Sequence, residues 1–104
     1  MLPPYLSIGE VPGSAIPSLE VVWKFPHPTY VDYVTIYLSK NDAIPTQLTW
    51  IKVSGVQHEG SFTFVAVDLG SKYSVAVGVQ SGEVSVTSNY DTAILRKNHL
   101  CIEN

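Results

Sequence analysis

The strongest constraint on this chain is a period of two in its apolar residues. From Lys72 to Gln80, Tyr73, Val75, Val77 and Val79 share one face, while Ser74, Ala76, Gly78 and Gln80 share the other. That spacing belongs to a β-strand with one face buried. Alternation returns along the whole chain, broken each time by clusters of Gly, Pro, Ser and Asn. No window of eleven or more residues carries an i, i+3, i+4, i+7 stripe, so helices are not expected. The chain has 14 valines and 18 serines and threonines, residues that favour pleated backbone. The expectation is an all-β domain.

Seven strand segments follow from the pattern. Pro3 to Glu10 is proline-led, which suits an edge. Ser18 to Phe25 puts Leu19, Val21 and Trp23 on one face, and Pro26-His27-Pro28 is expected to end it, since proline cannot donate to a ladder. Tyr30 to Ser39 has two apolar faces, Val34, Ile36 and Leu38 against Val31, Tyr33, Thr35 and Tyr37, and periodicity does not choose the inner one. Gln47 to Val53 surrounds Trp50. Ser54 to Gly60 reads as a loop and Ser61 to Leu69 as the fifth strand. Lys72 to Gln80 is the sixth. Ser81-Gly82 is a hairpin turn that needs positive φ, and Glu83 to Leu95 contains the seventh. Such spacing fits a two-sheet sandwich of about 100 residues. The domain is expected over 3–96, with a C-terminal tail over 97–104.

Composition removes several functions. At 104 residues only one domain fits. Six Lys and Arg against nine Asp and Glu leave a net charge of −3, so neither nucleic acid nor an anionic membrane is expected as a partner. No apolar run approaches the length of a membrane span, so membrane insertion is not expected. The single cysteine allows no internal disulfide and no cysteine-based zinc site. The start Met1-Leu2-Pro3-Pro4-Tyr5 lacks the basic and apolar regions of a secretory leader.

The residues resemble those of the fibronectin type III family. Ser18-Leu19-Glu20-Val21-Val22-Trp23-Lys24-Phe25-Pro26 is similar to that family's second strand, with its core tryptophan and following proline. Tyr33-Val34-Thr35-Ile36-Tyr37 resembles its third strand. Leu69 with Tyr73-Ser74-Val75-Ala76-Val77 resembles its leucine and tyrosine corner, here with only Gly70, Ser71 and Lys72 between. Ser81-Gly82-Glu83, with Ser85 and Ser88, resembles its last hairpin. The resemblance covers roughly residues 3 to 96 and implies a seven-stranded, immunoglobulin-like β-sandwich. It implies an interaction or spacer module rather than an enzyme. Such modules occur in receptors and matrix proteins, beside bacterial glycosidases, and in phage tails and capsids. No Arg-Gly-Asp triplet is present to carry an integrin-binding role.

The candidate binding residues are aromatic or lie at turns. Trp50 sits on an expected edge strand, where it can stack on a sugar or pack on a partner chain. Phe62 and Phe64 share a face opposite Val65 and Val67, so one apolar face of that strand is left to meet a neighbour. Phe25-Pro26-His27-Pro28-Thr29-Tyr30 forms a rigid aromatic segment whose candidates are Phe25, His27 and Tyr30. His58 and Gly82 mark further tip loops, where sandwiches carry recognition. No Gly-x-Ser-x-Gly elbow occurs. The loop histidines have no metal-ligand spacing, so no metal and no cofactor are expected. Cys101, two residues from His99, is read as a tail residue without a role.

The expected function is a non-enzymatic interaction or structural module of a larger assembly. A bacteriophage virion or tail component, made in the host cytoplasm and bound to other protein subunits, fits the missing leader, the missing disulfide and the strands apolar on both faces. The alternative is extracellular: an excised module of a cell-surface receptor, or an accessory carbohydrate-binding domain of a secreted enzyme with surface glycans as partners.

Overall fold

The computed structural model describes residues 1–65 and 68–95. They form six antiparallel strands and no helix: β1 (Tyr5–Glu10), β2 (Ser18–Lys40), β3 (Thr46–Val65), β4 (Lys72–Ser81), β5 (Val84–Thr87) and β6 (Asp91–Ile94). Val67, His99, Cys101 and the tail over 97–104 lie outside the described residues.

β2 organises the sheet. Its outer neighbour changes along its length, while β3 accompanies it throughout. Over Leu19 to Lys24 the other neighbour is β1; over Tyr33 to Lys40 it is β4. β4 in turn pairs with β5 at one end and β6 at the other. The sheet therefore curls over itself. Leu19, Val21, Trp23 and Phe64 from one half share a single core cluster with Val34, Ile36, Val75, Val77 and Val79 from the other. Each such side chain fully buried contributes about 1.5–3 kcal/mol of transfer free energy. The curl brings β1 against β6, where the Ile8 N–H donates to the Asp91 carboxylate at 3.1 Å.

All-β architecture is as the alternation predicts, and Leu19, Val21, Trp23, Tyr73, Val75, Val77 and Val79 are buried on the expected faces. The described residues form six strands rather than seven separate ones. Pro26-His27-Pro28 does not end a strand; β2 runs through it. The ladder jumps there from Lys24–Glu59 to Thr29–Gln57, so residues 25–28 bulge opposite His58 alone. Prolines in a bulge forfeit no ladder bond. The expected loop over Ser54 to Gly60 is the middle of β3. Gly60 is there for packing: a Cβ at that position would lie 2.5 Å from the Trp23 indole, which crosses it. The seventh segment divides into β5 and β6, and Ser88 sits between them. Its hydroxyl accepts from the Val77 N–H at 2.9 Å.

Tyr73 anchors the opening of β4. Its hydroxyl accepts the backbone N–H of Asp68 at 2.8 Å, a bond reaching back five residues. Leu69 is not a core leucine; it is exposed.

Candidate functional site

The doubly apolar stretch of β2 is settled by a bulge. Val31 faces Gly55 and Tyr33 faces Lys52, so the β2–β3 register shifts across Asp32. Ser54 takes the shift on β3 with φ of 53°. Two residues of β3, Val53 and Ser54, stand opposite Asp32 alone, so the extra residue lies on β3. The period of two on β2 breaks at the same place: Val31 is buried together with Val34 and Ile36, and Val31 does not share a face with Tyr33, Thr35 and Tyr37. Those three are turned to the outer face. The bulge is pinned from the far side, where the Asp32 carboxylate accepts the Gly82 N–H at 2.6 Å.

β3 brings Trp50 to the same outer face, opposite Thr35. Trp50 is 57% exposed and Tyr33 39%. Their rings meet edge to face, with centroids 5.9 Å apart and planes at 72°. Tyr37 lies across Gly78 of β4, whose added Cβ would stand 3.0 Å from the Tyr37 ring. With Gln47, these residues bound an open trough of about 420 Å³ lined by Tyr33, Thr35, Tyr37, Gln47 and Trp50. Every lining side chain is uncharged. Thr35 is 7% exposed. Tyr33 and Tyr37 are four residues apart on β2, about 13 Å at strand rise, which is longer than one hexose ring.

The other expected site residues do not gather here. Phe25 and Phe64 are buried members of the core, and half-buried Phe62 packs against it. Phe62 and Phe64 meet edge to face at 5.2 Å, facing inward over Leu19 and Val21 of β2. They line an open groove of about 520 Å³ with Leu38, Leu48, Val65 and Tyr73, and Val65 is the exposed one of these on that strand. Lys40 and Asp68 pair at its rim, and the Asp68 carboxylate holds the lysine pKa above its ordinary value. His27 and Tyr30 line a separate cavity of about 380 Å³ with Met1, Leu2 and Ser81. His58 stands opposite the bulge that carries His27. Gly82 takes φ of 59° at the first central position of the β4–β5 turn, as a two-residue hairpin requires. Among the described residues, no group of three or more His, Cys, Asp or Glu is placed to hold a metal ion.

Of the expected binding residues, Trp50 alone belongs to the aromatic trough. Tyr33, Thr35, Tyr37 and Gln47 were not singled out by sequence. Their signal was the alternation of 33, 35 and 37, which becomes informative once the bulge at Asp32 is known.

No family model matches the chain. No curated protein matches it either. In fold it is similar to a crystal structure described as the Br derivative of BhCBM56, a carbohydrate-binding module. That likeness has a TM-score of 0.58 at 12% identity and covers 90% of this chain and 96% of the other. At this identity the likeness concerns the fold.

Proposed function

We propose that this chain is a non-catalytic carbohydrate-binding module whose ligand lies on the outer face of β2 and β3. The observation that carries the reading is the exposed Tyr33–Trp50 pair at one side of an uncharged trough, with Tyr37 at the other. A pyranose ring has an apolar C–H face and a polar rim. Aromatic rings held in fixed orientation match the first, and threonine and glutamine match the second. The fold likeness to a carbohydrate-binding module supports this reading. It favours the accessory carbohydrate-binding expectation over the virion or tail component, which the comparison does not support. The core position of Trp23 and the Tyr73–Asp68 bond support a fibronectin type III-like arrangement of the strands.

The two tryptophans provide the test. Trp23 is buried and Trp50 exposed, so a ligand on the trough alters the emission of Trp50 and leaves that of Trp23 as an internal reference. Titration against a broad panel of soluble and insoluble neutral glycans should change the Trp50 signal for at least one. Trp50→Ala should weaken that binding at least about tenfold, or ~1.4 kcal/mol. Because the lining is uncharged, the affinity should barely change with salt. A flat response across the panel would refute the reading.

A further inference from the structure

Among the described residues, four polar residues are buried: Ser18, Thr35, Ser39 and Ser88. Three of them satisfy their hydroxyls inside the protein. Ser18 donates to the Ile16 carbonyl at 2.8 Å, Ser39 to the Ala43 carbonyl at 2.6 Å, and Ser88 to the Asn89 carbonyl at 3.0 Å. Thr35 is the exception. Its Oγ1 has no hydrogen-bond partner among the described residues, yet it is not a sealed buried atom. The surface it reaches is the trough it lines. A hydroxyl that reaches the trough without a protein partner is free to pair with a ligand, whereas a β-branched residue of nearly the same shape, valine, would suit a strand at this position equally well.

We infer that Thr35 is the specificity-determining residue of this face. Its hydroxyl is the polar contact at the trough floor for a neutral oligosaccharide. This inference rests on the carbohydrate-binding reading and deepens it. Trp50, edge to face with Tyr33, covers the apolar face of a sugar on one side of the trough and Tyr37 bounds the other. The rim hydroxyl turned downward meets Thr35 Oγ1. A threonine hydroxyl both donates and accepts, so it can pair with a sugar hydroxyl whichever way that group is oriented. The trough's length along β2 exceeds one ring, so the ligand is a stretch of chain rather than a monosaccharide.

The test uses cello-, laminari-, xylo-, manno- and chito-oligosaccharides of one to six units, titrated calorimetrically against the full chain. Within the series that the wild type binds, affinity should rise from the monosaccharide to the trisaccharide. Thr35→Val should lower it about tenfold, with an unchanged melting curve. Thr35→Ser, which keeps the hydroxyl and loses the methyl, should stay within about threefold of wild type. Equal affinities for wild type, Thr35→Val and Thr35→Ser would overturn the role of Thr35 while leaving the module reading intact. Wild type binding none of the five series would overturn both.

Discussion

Two glycines show at the residue scale how the same local device serves stability in one place and the candidate site in another. At Gly60 the Trp23 indole occupies the space a side chain would need, with three ring atoms 2.5 Å from an added Cβ. Trp23 is 4% exposed and held by the core, so it cannot move aside cheaply. Gly60→Ala should therefore destabilise the fold by about 1–3 kcal/mol, the usual cost of overpacking, read as a lower urea midpoint with unchanged slope. At Gly78 the approach is 3.0 Å and the neighbour is the ring of half-exposed Tyr37. That ring can tilt outward. Gly78→Ala should leave the urea midpoint nearly unchanged, since alanine also favours ordered backbone over glycine, while weakening glycan binding through the displaced Tyr37. If both substitutions cost the same stability, the distinction between a core clash and a surface clash fails.

At the scale of elements, the bulge at Asp32 decides which aromatics reach solvent. The Asp32 carboxylate ties β2 to the β4–β5 turn through Gly82. Asp32→Ala should cost about 1 kcal/mol, the net value of such a bond, visible as a lower melting temperature. Binding should weaken as well, because the register of Tyr33 against Lys52 begins at this bulge. A lower melting temperature with unaltered affinity would show that the register holds without the bond. The bulge also explains what was legible in the sequence. Regular alternation exposed the inner faces of β4 and of residues 19–23, where nothing interrupts the period. It located Trp50 on an edge strand. It did not reveal the outer face of Tyr33, Thr35 and Tyr37, because a one-residue shift leaves no mark in a chain apolar on both faces. It also misjudged Pro26-His27-Pro28 and Ser54 to Gly60. Proline and glycine usually interrupt strands, but here the prolines fall where the ladder is already open and Gly60 is crossed by Trp23. Phe25 and Phe64 read as binding candidates in the sequence for the same reason: which face is inward depends on long-range pairing that local pattern does not carry.

For the whole molecule, the decisive feature is β3. This 20-residue strand pairs with β2 on one side, and among the described residues its other edge has no partner. A long, flat, free edge invites pairing with a second chain, which would make the molecule an assembly component. Three features oppose that. The edge is not flat, since Ser54 turns through positive φ and the register breaks again opposite residues 25–28. Lys52 and Glu59 are exposed along it, and charge on an edge disfavours added strands. The net charge of −3 adds a weak mutual repulsion between copies. The molecule is also elongated, with extents of 53 × 27 × 19 Å, so a monomer has a distinct frictional signature. Sedimentation velocity over a wide concentration range should show one species at the monomer mass with the friction of an elongated body. The same species bound to a soluble oligosaccharide should keep that mass, because a ligand on the outer face of β2 and β3 need not recruit a second copy. Dimers growing with concentration would instead show that β3 edges pair despite the kink. Trp50 lies on β3 itself, so such pairing would set two aromatic troughs side by side and turn a single-site binder into a bivalent one.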